Sequence, residues 1–143
     1  MNGSLLDTNV ISEYARIKGP NQRVRRWMDN QPETSLYLSV LTIGEIRQGI
    51  ALLSGNEKRA HLQSWLEEEL PVRFGERLLP ITREIAELWG SLNAQLRLKG
   101  VAATVIDALL AATALQHNLA IVTRNVKHFN SCGAIVVNPW EME

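Results

Sequence analysis

Ser4-Leu5-Leu6-Asp7-Thr8-Asn9-Val10-Ile11 is the stretch on which the reading of the fold turns. A short apolar run closes on three polar residues, the pattern of a buried strand that stops where a helix starts. Asp7, Thr8 and Asn9 can each cap the helix beginning near Val10. That helix is expected to end before the breaker Gly19-Pro20. Open α/β sheets bind ligands beyond the carboxyl ends of their strands, which is where this reading places Asp7.

Downstream, helices and strands alternate. Residues 21–31 form a helical pattern with Val24, Trp27 and Met28 on one face, stopped by Pro32. Leu36-Tyr37-Leu38-Ser39 reads as a second strand. From Val40 to Leu53, Ile43, Ile46, Ile50 and Leu53 recur at the helical period. Residues 57–70 predict another helix, with Leu62, Trp65, Leu66 and Leu70 inward and Pro71 closing it. Arg77-Leu78-Leu79-Pro80 is a short strand. Ile81 to Lys99 is the longest helical pattern, with Ile85, Leu88, Trp89, Leu92 and Leu96 on one face and Gly100 as stop. Val105 to His117 is a helix rich in alanine. Leu119–Thr123 and Ala134–Val137 are apolar runs with β-branched residues, read as strands buried on both faces and hence parallel. The alternation predicts an α/β fold: one domain over residues 1–143, with a short central parallel sheet flanked by helices.

The 143 residues are 45% apolar and 21% charged, and 15 Lys+Arg balance 15 Asp+Glu. Zero net charge argues against nucleic-acid binding by bulk positive charge and leaves local basic patches open. A single cysteine, Cys132, excludes an internal disulfide framework and any cysteine-based zinc site, and fits a reducing compartment. No apolar run approaches the ~18 residues of a membrane span. The first residues carry neither a basic region nor a long apolar stretch, so no signal peptide is expected and the expected location is the cytoplasm.

Aspartate occurs only at positions 7, 29 and 107. Asp7 follows the first strand and Asp107 sits in the first turn of a helix. Glu45 lies in an otherwise apolar and small-residue helix, between Gly44 and Gly49. Glycine in a helix costs about 1 kcal/mol against alanine, so two of them suggest a packing or access requirement. Each acid also has a plainer reading: Asp7 as a helix cap, Asp107 as a partner of the helix dipole, Glu45 as a solvated position.

Four segments in order resemble the PIN domain family: Leu5-Leu6-Asp7-Thr8-Asn9-Val10-Ile11-Ser12-Glu13, Ile43-Gly44-Glu45-Ile46-Arg47-Gln48-Gly49-Ile50, Asp107-Ala108-Leu109-Leu110-Ala111-Ala112-Thr113-Ala114, and Ile121-Val122-Thr123-Arg124-Asn125-Val126-Lys127-His128-Phe129. The ending Val137-Asn138-Pro139-Trp140 is similar to the FitB/VapC branch. The resemblance implies a metal-dependent ribonuclease, the toxin half of a type II toxin–antitoxin pair. It further implies that Asp7, Glu45 and Asp107 hold Mg²⁺ or Mn²⁺ and share catalysis with Asn125. Mg²⁺ takes hard oxygen ligands and keeps several waters, so carboxylates and a phosphate suit it.

Many relatives carry a further Asp in or just after the Thr-Arg-Asn segment; here Asn125 and then His128 stand there. One firmly held ion, with a weaker second, is the expectation. Thr8 is a candidate to hydrogen-bond a carboxylate, and Asn9 to order the loop after the strand. Arg124 either meets phosphate or pairs with a site carboxylate. Arg23, Arg25 and Arg26, in a stretch free of acids, are candidate RNA contacts, or else a solvated face or an antitoxin contact. The resemblance also implies a homodimer and a cognate antitoxin whose C-terminal segment covers the acids.

Two alternatives compete. One is a degenerate module that binds RNA or antitoxin without cleaving. The other is a haloacid-dehalogenase-type phosphohydrolase, which wants a second Asp where Asn9 stands.

Overall fold

The computed structural model describes residues 3–142; the reading of Met1 and Asn2 as no part of a leader lies outside them. In chain order the elements are β1 (Ser4–Leu6), α1 (Thr8–Ile11), α2 (Gln22–Asp29), β2 (Leu36–Ser39), α3 (Val40–Ala51), α4 (Asn56–Ser64), α5 (Leu70–Phe74), β3 (Leu78–Leu79), α6 (Arg83–Leu98), α7 (Val105–Gln116), β4 (Ala120–Val122) and β5 (Val136–Val137), with short 3₁₀ turns between several of them.

The five strands form one sheet in the order β3-β2-β1-β4-β5. All four pairings are parallel, with Leu5 opposite Tyr37 on one side and Ile121 on the other. From β1 the chain builds outward to β2 and β3, then returns to add β4 and β5 on the opposite side. The order therefore reverses between β1 and β4, and at such a switch point the loops leave a crevice at the carboxyl edge.

The period-2 alternation of a strand divides the core between two faces. Leu6, Leu36, Leu38 and Val122 point to one face, where Val10, Ile46, Ile50, Trp65 and Phe74 cover them. Leu5, Leu79 and Ile121 point to the other, under Leu92, Leu96, Leu110 and Ala114. The alanine face of α7 lets this helix sit close to the sheet: Ala111, Ala112 and Ala114 are fully buried. Truncating a buried leucine such as Leu6 costs about 2–5 kcal/mol.

Several local expectations need correction. The first helix is one turn, continued by a 3₁₀ turn at Ser12–Ala15. Pro71 does not close the helix predicted over residues 57–70. The chain widens into a π-helical segment at Trp65–Glu69, where the Leu70 N–H reaches the Trp65 carbonyl, and α5 then runs on to Phe74. A wider turn accommodates a residue with no N–H and a bulky ring. At Gly44 and Gly49 an added Cβ would meet no atom within 4 Å, so close packing is not what requires glycine there. Gly3 is the tight glycine, at φ +148 with its missing Cβ aimed at the Ser35 carbonyl. The strand β5 is only half-buried, as befits an edge. On α6, Ile85, Leu92 and Leu96 are buried, while Leu88 and Trp89 are half-buried.

Candidate active site

Asp7 stands at the switch point, immediately after β1. It caps α1, its Oδ1 accepting the Thr8 N–H at 2.8 Å. Its Oδ2 accepts the hydroxyl of Thr123, just past β4, at 2.8 Å, and the Asn9 side-chain amide at 3.3 Å. Only 8% of Asp7 is exposed. Burial pushes its carboxyl above the usual range; the Thr123 and Thr8 hydrogen bonds oppose the rise, the charge of Asp107 adds to it, and His128 offsets it slightly.

The neighbouring loops are tied to this point. Thr123 is fully buried and also accepts the Asn125 N–H at 3.0 Å. Asn9 accepts the Arg124 N–H at 3.2 Å, which links the loop after β1 to the loop after β4.

Glu45 comes from α3, whose first turn is capped by Ser39 through the Leu41 N–H at 3.0 Å. The Thr8 hydroxyl donates to Glu45 Oε1 at 2.6 Å, fixing the carboxylate toward β1. Asp107 comes from the first turn of α7, where Thr104 caps the helix by accepting the Asp107 N–H at 3.1 Å. Its Oδ2 lies 3.1 Å from Nδ1 of His128, in the 3₁₀ turn Val126–His128.

Asp7, Thr8, Asn9, Glu45, Asp107, Asn125 and His128 thus line one open cavity of about 530 Å³. Its donors are carboxylate oxygens with one imidazole, a set suited to a hard or borderline divalent cation. Among the described residues, no three such side chains already converge on a single point. Water and a substrate phosphate would have to complete the shell, which is how Mg²⁺ is ordinarily held.

The arginines lie outside this cavity. Arg124 pairs with no site carboxylate; its guanidinium lies over the ring of Trp140, 5.2 Å from the centroid. Arg23 donates to the Trp140 carbonyl at 3.0 Å, and Arg25 and Arg26 are exposed on the same helix. Arg23, Trp140 and Arg124 therefore make a continuous ledge, and Arg124 adjoins Asn125 and His128 in a second, smaller depression.

Sequence reasoning assigned no role to Thr123 or Thr104. The signal for both was position: a hydroxyl at the end of an apolar strand, and one three residues before an acid at a helix start.

A more apolar groove of about 340 Å³ runs from Thr8 and Glu45 along α3, floored by Ile46, Ile50, Leu62 and Trp65 and flanked by Arg16 and Lys58.

The PIN domain family model matches residues 4–132. Toxin FitB of Neisseria gonorrhoeae is 38% identical over 136 residues, covering 95% of this chain and 97% of its own. Plasmid stability protein StbB of Pseudomonas syringae is 39% identical over 137 residues, covering 96% and 98%. VapC ribonuclease Y4jK of Sinorhizobium fredii is 35% identical over 137 residues, covering 96% and 97%. A crystal structure of FitAcB from N. gonorrhoeae superposes with a TM-score of 0.90 at 37% identity, covering 97% of this chain and 99% of that one. With a family match over most of its length and relatives of this similarity end to end, the chain belongs to the PIN domain family.

Proposed function

We propose that this chain is a metal-dependent endoribonuclease, the toxin of a type II toxin–antitoxin pair, which hydrolyses RNA phosphodiester bonds with carboxylate-held Mg²⁺ or Mn²⁺. The observation that carries this reading is the arrival of Asp7, Glu45 and Asp107, from three different elements, in one open cavity at the sheet's switch point. Ribonuclease and toxin names among the relatives support the same reading.

In this account Asp7, Asp107 and Glu45 hold the cation. When bound, it would supply an activated water and offset charge at the scissile phosphate. The chain's own residues prepare the site. Thr123 and the Thr8 N–H hold both Asp7 oxygens in place and stabilise their charge. Thr8 locks Glu45 toward the same point. Asn125 carries no charge, so it offers an amide to phosphate or water without adding to the carboxylate repulsion. Asn9 braces the two loops. The backbone of the RNA would lie along Arg124, with Arg23, Arg25 and Arg26 beyond Trp140.

The partner would be a cognate antitoxin. The groove from Glu45 along α3 suits an extended peptide with an apolar face, and Arg16 and Lys58 flank it. FitAB has been solved bound to a DNA fragment, which supports a toxin–antitoxin hetero-oligomer here. A homodimer is supported by exposed apolar side chains near α6 and α7, Leu98 at 89% and Val105 at 60%. Among the described residues no helix is long and apolar enough to cross a membrane, and the cytoplasm, where RNA is met, is the proposed site of action.

Induced expression in bacteria tests this reading. Growth should stop with the native chain and continue with Asp107→Asn at equal protein level. Equal toxicity of the two would contradict it.

A further inference from the structure

His128 supplies the one imidazole of the acidic cavity, and the functional reading above leaves it without a part in the reaction. Its Nδ1 lies 3.1 Å from Asp107 Oδ2. In an octahedral shell with bonds of about 2.1 Å, neighbouring donor atoms lie about 3.0 Å apart. The pair meets at ion-pair distance, and the same spacing suits adjacent ligands of one ion.

Backbone hydrogen bonds on both sides hold the two segments that carry these side chains. Asp107 is held in the first turn of α7 by the Thr104 cap. The turn carrying His128 is closed by its N–H to the Asn125 carbonyl at 3.0 Å. Asn125 is in turn tied to buried Thr123, and Phe129, the next residue, is 1% exposed. The imidazole itself is 53% exposed, open to the cavity mouth. Of the three histidines in the chain, this is the one lining the cavity.

We propose that His128 is a nitrogen ligand of the cation held by Asp107, and that it tilts the centre toward Mn²⁺ over Mg²⁺. Imidazole binds first-row transition ions in preference to Mg²⁺, which favours oxygen and water. A carboxylate-only centre has no such bias. The inference rests on the metal-dependent reading above and adds to it one ligand and a selectivity.

Mn²⁺ bound to the purified chain is followed by pulsed electron paramagnetic resonance, which detects a directly bound nitrogen, and by calorimetric titration with Mn²⁺ and with Mg²⁺. The native chain should show nitrogen coupling. His128→Ala should abolish it and weaken Mn²⁺ binding about 10-fold or more, with Mg²⁺ binding changed less than about 2-fold. His128→Asp should restore binding without the coupling and narrow the Mn²⁺-to-Mg²⁺ ratio. Because His128 is at the surface, these variants should melt as the native chain does. Mn²⁺ bound without nitrogen coupling, or coupling that survives in His128→Ala, would overturn the inference and leave the metal-dependent reading standing. No Mn²⁺ binding by the folded native chain would overturn both. Asp7→Asn separates the two from the other side: nitrogen-coupled Mn²⁺ retained there would uphold His128 and remove Asp7 from the ligand set.

Discussion

The buried hydroxyl of Thr123 donates to the carboxylate of Asp7 at 2.8 Å across 116 residues of sequence. This one bond joins the ends of β1 and β4, the two strands between which the sheet reverses its order. The same Thr123 oxygen accepts the Asn125 N–H, so one side chain positions both an acid and the loop beside it.

Thr123→Val keeps the shape and removes the hydroxyl. The Asn125 N–H loses its acceptor and Asp7 loses a donor in a buried setting. The expected cost is about 1–3 kcal/mol of stability, read by denaturant unfolding, with weaker Mn²⁺ binding. Native-like stability would show that water replaces the hydroxyl.

Asp7 carries a pH signature. Burial raises its folded pKa above the ordinary 3.8, so the fold holds this proton more tightly than the unfolded chain does. Metal-free stability from this group is therefore greatest when it is protonated and falls as pH rises through the folded pKa. Asp7→Asn keeps a good helix cap and cannot ionise. In chelator, the melting temperature of the variant minus that of the native chain should grow from about pH 4 toward pH 7. A flat difference would mean that ionising Asp7 costs the fold nothing.

The parallel strands, and the position of Asp7 at the end of the first, were legible in the sequence for a physical reason. Parallel strands buried on both faces must be continuous apolar runs, and an acid after such a run stands out. What escaped was what lies across the fold. Thr123 ends an apolar run, which marks its position but not its partner, and that partner, Asp7, lies just after the first strand, 116 residues away. Pro71 read as a helix end because proline costs a regular helix a hydrogen bond; the π-helical turn before it appears only where Trp65 and Leu66 are buried. Arg124 read as facing phosphate or a carboxylate, and the aromatic face it covers comes from Trp140, 16 residues on in the sequence.

Arg124→Ala removes the cation that adjoins the cavity. RNA binding should weaken across sequences, and the slope of log affinity against log salt should fall by about 1. Folding should change little, since the lost stacking on Trp140 is at the surface. An unchanged salt slope would place the RNA backbone elsewhere.

Glu33 supplies a control remote from the site. Arg73 and Arg77 reach it at 3.1 and 3.2 Å. Burial acts to raise its pKa, but the two guanidiniums together outweigh this and hold the carboxyl below its usual range. The stability it contributes is present above the ordinary carboxylate pKa and is lost as pH falls through the lowered one. The group is half exposed, so Glu33→Gln should cost no more than about 1 kcal/mol at neutral pH. RNA cleavage should be unaffected; a large loss of cleavage would mean that the site depends on the whole fold's stability.

The most direct measurement is cleavage of a structured RNA by the purified, antitoxin-free chain with Mg²⁺, with Mn²⁺ and with chelator, beside Asp7→Asn. The account predicts cutting that requires the metal and falls at least about 100-fold in the variant. Cutting in chelator, or by the variant at the native rate, would contradict it.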